Sequence, residues 1–251
     1  MPVLVLMRHG ATLWGQENRF AGWGDSPLSE AGIVEAEVAA NTLTKADLSF
    51  DVSYTSELLR ARQTLDTLAK ILPSSGSDIR IDWRLNERHY GSLQGETRAA
   101  MIEKHGNQQV VKWRRSYTAL PPSLEQDDPR WREQLQRFSH LKPVDQPATE
   151  SMAIAAERVA PVWHRRIVPD LKCGKQVLVV AHTSSIRGLA RAIEGLNDKA
   201  SENFRIATAV PMVYALDDDL SVVSKTDLKS GMAGGIRYWL NQLKPRGLGW
   251  V

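Results

Sequence analysis

Apolar residues follow two rhythms along this chain. Unbroken apolar runs occur in "VLVLMRH" from Val3 and in "QVLVVAH" from Gln176, and each reads as a buried strand that ends in histidine. Elsewhere the apolar positions recur at helical spacing. The first strand is expected over about residues 3–8, followed by a loop rich in Gly, Trp and Asp as far as Pro27. Ser29 is placed to cap a helix with Ile33, Ala36, Ala40 and Leu43 on one face. The β-prone run "FDVSYTS" leads to Ser56, which starts a second helix with Leu58, Ala61, Leu65, Leu68 and Ala69 on its buried stripe. In "SDIRIDWRL" the alternation of Ile79, Ile81 and Trp83 predicts another strand, leading to Glu87.

Residues 97–117 read as helix. From Thr118 to Thr149 five prolines break the pattern, which predicts a long insertion over the surface. Met152, Ala155, Val159 and Val162 then fall in helical register, with Pro161 expected to bend or interrupt the helix. After the strand "QVLVVAH", Ser184 or Ser185 is placed to cap a helix carrying Ile186, Leu189, Ala190 and Ile193. "PMVYALD" and "SVVS" predict two more strands. This alternation implies an α/β fold, a three-layer sandwich with a mostly parallel central sheet flanked by helices. No repeat or linker divides the 251 residues, so one domain is expected, with a glycine-marked tail from about 229 to 251 that reads as a short amphipathic helix or as mobile chain.

Composition narrows the function classes. With 42% apolar and 24% charged residues the chain is of ordinary globular type, and its single cysteine, Cys173, excludes an internal disulfide. The N-terminus has no basic leader and too short an apolar run for a signal peptide or membrane span, which predicts a cytoplasmic protein without membrane association. A net charge of +3 and a pI near 9.0 invite nucleic acid as a partner. Lys and Arg are scattered, however, and no finger or ribonucleoprotein signature occurs, so a small anionic ligand held by arginine forks is expected instead.

Both apolar runs end in histidine, at His9 and His182, and strand C-termini in a parallel sheet share one rim where ligands bind. Arg8 accompanies His9, Arg60 begins a helix after a strand, and Glu87 and Tyr90 follow the strand ending near Trp83. Two histidines, two arginines and a carboxylate suit phosphoryl transfer. His9, kept neutral by neighbouring cations, would be the nucleophile; Arg8, Arg60 and His182 would neutralise the phosphoryl charge; Glu87 would shuttle the leaving-group proton. His89, His105, His140 and His164 lack metal-ligand spacing and read as surface or supporting residues, and no metal is expected. Ser184 and Ser185 lack the preceding glycine elbow of a serine nucleophile. Trp14 and Trp23 are expected to wall the pocket.

"RHGATLWGQENRFAGWGDSPLSEAG", "YTSELLRARQT", "ERHYGSLQG", "WRRSY" with "PPSLEQDDP", and "AHTSSIRGL" together resemble the cofactor-dependent phosphoglycerate mutases of the histidine phosphatase superfamily, from residue 3 to about 223. The resemblance implies isomerisation of 3-phosphoglycerate and 2-phosphoglycerate, primed by 2,3-bisphosphoglycerate without metal, in a homodimer or tetramer. It makes His9 the phosphorylated nucleophile and Glu87 the acid/base, and it assigns Arg114, Arg115 and Tyr90 to the far end of the substrate. Thr12, Gly15, Ala21, Gly22, Arg98, Thr183 and Ser184 also fall at its substrate positions.

Several of these depart from the family pattern. Ala11-Thr12 replaces Glu-Ser, Gly15 replaces an asparagine, Ala21 a threonine and Arg98 a lysine, while His182-Thr183-Ser184 replaces His-Gly-Asn. A hydrogen bond to a charged group contributes about 1.5–3 kcal/mol, so two or three such losses would shift substrate preference and leave the chemistry in place. A phosphatase in which water intercepts the phosphohistidine is therefore the alternative. A non-enzymatic interaction module conflicts with the intact charged set.

Overall fold

The computed structural model describes residues 1–230, so the expectation for the tail beyond them lies outside the described residues. In chain order the elements are β1 (Val3–Arg8), α1 (Leu13–Gln16), α2 (Glu30–Lys45), β2 (Val52–Thr55), α3 (Leu59–Ile71), β3 (Ile79–Ile81), α4 (Arg98–His105) and α5 (Asn107–Arg115). There follow α6 (Pro129–Arg137), α7 (Met152–Val162), α8 (Val168–Lys172), β4 (Val177–Ala181), α9 (Thr183–Glu194), α10 (Asp198–Asn203), β5 (Met212–Leu216) and β6 (Val222–Asp227).

The strands form one six-stranded sheet in the order β3-β2-β4-β1-β5-β6. β3, β2, β4 and β1 pair in parallel; β5 runs against both β1 and β6. Successive side chains of a strand face opposite ways, and here both faces are covered. Leu4 and Leu6 with Val177 and Val179 meet Val159, Val162, Ile186 and Leu189 of α7 and α9. Val5 and Met7 with Leu178 and Val180 meet Ala39, Leu43, Leu65 and Leu68 of α2 and α3. The expected sandwich is the observed one.

Local departures have physical causes. The buried stripe of α2 is Gly32, Ala36, Ala39, Ala40 and Leu43, while Ile33 is 42% exposed. The stripe starts at a glycine because the loop after β1 packs directly on the helix. A Cβ on Gly32 would stand 2.0 Å from the Ala11 carbonyl oxygen. Gly32→Ala is expected to cost about 3 kcal/mol and to lower the midpoint of thermal unfolding by about 6–12 °C. Calorimetry checks this, and an unchanged midpoint would mean that the loop yields freely.

α3 starts at Leu59 rather than at Ser56. β3 is an edge strand, and Ile79 and Ile81 are 40% and 52% exposed, so their alternation marks the uncovered face. The helix expected over 97–117 divides at Gly106, whose φ of 79° suits glycine. Pro161 leaves α7 unbroken; the irregularity comes just after it, as a π-helical turn over Trp163–Ile167. The proline-rich segment holds α6 and buries Leu124, Gln134 and Phe138.

Candidate active site

β1 and β4 end side by side, and the residue after each carries an imidazole. The His9 N–H donates to the Ala181 carbonyl (3.0 Å), and the ring centroids of His9 and His182 are 5.0 Å apart. His9 Nδ1 lies 2.7 Å from the Gly10 carbonyl oxygen. A carbonyl only accepts, so Nδ1 carries the proton and the Nε2 lone pair is left for an electrophile. Burial, then the charges of Arg60 and Arg8, hold the His9 pKa well below 6.5, against a smaller upward pull from the Gly10 carbonyl.

His182 caps α9, its N–H donating to Ser185 Oγ (3.1 Å). Ser185 is thus the partner of the cap rather than the cap itself. His182 Nε2 lies 2.7 Å from Ser56 Oγ, which also accepts from the Leu58 N–H (3.2 Å). The Ser56 hydroxyl can accept twice and donate once, so this contact fits either tautomer, and the His182 proton sits on Nδ1 where Ser56 donates to Nε2. Burial, then Arg60, His9, Arg8 and Arg158, keep this imidazole neutral by holding its pKa well below 6.5. The expected cation is replaced by a neutral imidazole.

Arg60, on the first turn of α3, is fully buried and donates to the Gly24 and Gly22 carbonyls, each at 2.8 Å. Burial lowers its pKa to about 10, with Glu87 and Asp25 pulling the other way. Arg8 Nε, Arg60 Nε and His182 Nδ1 are buried with no hydrogen-bond partner among the described residues. The two arginine nitrogens are donors, and His182 Nδ1 is a third in the tautomer where Ser56 donates to Nε2, a set that suits an acceptor-only group such as a phosphoryl.

Glu87 Oε1 accepts from the Arg88 N–H (2.8 Å) and from the Ser184 N–H (3.1 Å) at the N-terminus of α9. Burial raises its pKa, but the Ser184 and Arg88 N–H groups with the charges of Arg60 and Arg88 outweigh burial and hold it below 4.5. The carboxylate is ionised in this state. The Glu87 carbonyl accepts from the Trp23 indole (2.7 Å) and from Arg158 (3.2 Å).

Arg158 forms a bidentate pair with Glu150 (2.6 and 2.8 Å) that is nearly sealed from solvent, and it also donates to the Arg84 and Asn86 carbonyls. Glu150 in turn accepts from the His89 N–H (2.9 Å). Arg158→Met would leave Glu150 buried and unpaired, at a cost of about 3–5 kcal/mol. Denaturant unfolding is expected to show that loss, and turnover should fall with it because Glu87 loses its support. Full turnover in the folded variant would show that the pair does not position Glu87.

Of the surface or supporting place expected for His89 the structure gives the second, since it is completely buried. Its Nδ1 accepts from the Gly91 N–H and its Nε2 donates to Gln134 Oε1 (2.7 Å), which ties α6 to the Glu87 loop. Burial lowers its pKa to about 4 from 6.5. Between those values the unfolded chain binds a proton here that the folded chain does not, so stability falls as pH falls. His9 and His182 are displaced the same way. Urea titrations are expected to show stability declining from pH 6.5 to 4, with His89 alone contributing about 3 kcal/mol of the loss. A flat profile would show the three imidazoles protonated in the folded chain.

These groups border a cavity of about 580 Å³. Arg8, His9, Arg60 and Glu87 line it, as do Thr12, Gly15, Ala21, Gly22, Tyr90, Arg98, Arg114, Arg115, Thr183 and Ser184. His182 is wholly buried beside His9. Thr12 Oγ1 accepts from the Gly15 N–H (3.0 Å), capping α1. Burial and the like charge of Arg98 lower the Arg114 pKa, with Tyr90 pulling up and Arg115 and Arg88 adding to the fall. Trp14 and Trp23 are not in the lining; Trp23 packs behind the Glu87 loop against Phe138. Asn18, Arg19, Arg187, Glu202, Asn203 and Arg205 are in it and were not anticipated. Among the described residues no three His, Cys, Asp or Glu side chains are grouped to hold a metal ion, and no helix is long and apolar enough to cross a membrane.

A family model described as the histidine phosphatase superfamily (branch 1) matches residues 4–129 and 122–226. The chain belongs to the histidine phosphatase superfamily. Within this superfamily it is similar to the 2,3-bisphosphoglycerate-dependent phosphoglycerate mutase of Hamiltonella defensa subsp. Acyrthosiphon pisum (strain 5AT). Identity is 42% over 221 residues, covering 88% of this chain and 89% of that one. Among solved structures, a mycobacterial glucosyl-3-phosphoglycerate phosphatase complexed with VO3 superposes with a TM-score of 0.67 at 26% identity, over 86% of this chain and 93% of that one. Mycobacterial hydrolase 1 shares the fold, with a TM-score of 0.69 at 24% identity over 92% of this chain and 100% of that one.

Proposed function

We propose that this chain interconverts 3-phosphoglycerate and 2-phosphoglycerate through a phosphohistidine at His9, with 2,3-bisphosphoglycerate as priming donor and intermediate. The observation that carries this reading is a second cationic cluster, Arg98, Arg114 and Arg115, on the same cavity as Arg8, His9 and Arg60. Hydrolysis of a simple monoester needs one anion site, whereas a bisphosphate that exchanges its ends needs two. The likeness to a named mutase at 42% identity supports the same reading. Under it the chain works in glycolysis and gluconeogenesis, in the cytoplasm, as a homo-oligomer.

In priming, His9 Nε2 attacks one phosphorus of the bisphosphate, the P–O bond to the glycerate breaks, and Glu87 gives its proton to the departing oxygen. The incoming anion offsets the arginine charges that depress the Glu87 pKa, which lets the carboxyl hold that proton. On the phosphoenzyme the ionised Glu87 takes the proton of the C2 hydroxyl of 3-phosphoglycerate as that oxygen attacks the phosphohistidine. The bisphosphate then presents its other phosphoryl to His9, Glu87 returns the proton to the C3 oxygen, and 2-phosphoglycerate leaves. Arg8, Arg60 and the His182 N–H hold the phosphoryl oxygens throughout.

Incubation of 3-phosphoglycerate with the chain and a catalytic amount of 2,3-bisphosphoglycerate is expected to give 2-phosphoglycerate quickly, with little free phosphate. The second reading is a phosphatase, favoured by Gly15 and Ala21, which line the cavity without a polar side chain. Steady release of phosphate without interconversion would establish it and displace the first.

A further inference from the structure

Three guanidiniums on the cavity, those of Arg19, Arg187 and Arg205, have no part in those steps; Arg19 pairs with Glu17 and Arg205 is exposed, which leaves Arg187. Arg187 stands on α9 four residues beyond Thr183 and three beyond Ser184, one helical turn further along the face that meets Glu87. It is half-buried in the lining. Its Nε donates to the Phe204 carbonyl (3.0 Å), its only hydrogen bond among the described residues, and no carboxylate lies within ion-pair distance. The tether to Phe204 fixes the plane of the fork and leaves both terminal nitrogens for another acceptor.

Burial lowers the Arg187 pKa; Glu87 and Tyr90 pull it up, and Arg88 and Arg8 push it down. Arg187 thus feels Arg8 and Glu87 at the His9 end of the cavity, together with Tyr90, and it lines the same cavity as both cationic clusters. A partly desolvated cation beside like charges, with the Glu87 carboxylate acting only from beyond ion-pair distance, is unfavourable, and an arriving anion relieves that.

Bisphosphoglycerate carries three anionic groups: two phosphates and the C1 carboxylate. The clusters around Arg60 and around Arg114 take the phosphates. When the C2 and C3 phosphates exchange clusters, the carboxylate must be held in both arrangements, which calls for a further cation on the same cavity. We infer that Arg187 is a specificity-determining residue that binds the glycerate carboxylate and selects carboxylate-bearing phosphoesters over those with a neutral end. The inference rests on the proposed function for its ligand, but its test needs no turnover.

The test is calorimetric titration of the full chain with 3-phosphoglycerate and with glycerol 3-phosphate, which has a hydroxymethyl group in place of the carboxylate. Wild type is expected to prefer 3-phosphoglycerate. Arg187→Met should weaken 3-phosphoglycerate about 10- to 100-fold and glycerol 3-phosphate by less than about threefold. Arg187→Lys keeps a point charge without the fork and should weaken 3-phosphoglycerate about tenfold. Equal losses for both ligands, no loss, or a wild type that binds them alike would overturn the inference. Should circular dichroism show the Met variant unfolded, the Lys variant decides by the same comparison. Failure of the mutase reading shows separately, as phosphate release without interconversion, and leaves the two titrations readable.

Discussion

His9→Ala is expected to take up no phosphate from labelled 2,3-bisphosphoglycerate and to lose turnover by on the order of 10⁴- to 10⁶-fold. Wild type should carry one acid-labile phosphoryl group by intact mass. The basis is the placement of a single free lone pair: His9 Nδ1 faces the Gly10 carbonyl, so Nε2 is unprotonated and unbonded. His182 is less suited to substitute, because its Nε2 is held by Ser56 and its ring is wholly buried. Because the His9 ring is neutral in the fold, its removal should leave the far-ultraviolet spectrum unchanged and ease the decline of stability below pH 6.5. Label retained on the Ala variant would move the nucleophile elsewhere and end the assignment.

Glu87→Gln is expected to lower turnover about 10²- to 10⁴-fold. The Gln amide oxygen can still accept from the Ser184 and Arg88 N–H groups, so the loop should keep its course. What disappears is the proton. The loss should therefore depend on the leaving group: large for bisphosphoglycerate, whose alkoxide needs protonation, and small for p-nitrophenyl phosphate, whose phenolate leaves unaided. A uniform loss across both donors would show that Glu87 serves binding or structure, and general acid catalysis would have to be sought in another group.

Much of the site was legible in the sequence because its principal residues sit at strand ends. The runs before His9 and His182 pair directly, and Arg8 stands opposite Ala181 in the register. Any two parallel neighbours would bring their following residues to one edge, so two strands ending in histidine implied an imidazole pair. Other features left no local trace. Arg158 and Glu150 support a loop more than sixty residues away in sequence, and each alone reads as a solvated charge. Gln134 and Ser56 orient imidazoles, yet nothing nearby marks them. The direction in which a periodic segment faces was equally hidden. Ile33 and Ile79 fit a stripe, but which stripe is covered depends on partners such as Ala11 that approach a glycine. The charge of His182 was also beyond reach, since it depends on how much burial outweighs any stabilising partner.

The position of β1 in the sheet has a consequence for biosynthesis. Both of its neighbours, β4 and β5, come from the last third of the chain, although β1 is made first. On a translating ribosome β1 must therefore wait, unpaired and strongly apolar, until Val177–Ala181 and Met212–Leu216 emerge. Closing so long a loop is slow, which leaves the apolar strand exposed to aggregation in the meantime. A fragment ending before Val177 should aggregate, whereas a permuted chain that begins near β4 should fold faster than the natural order.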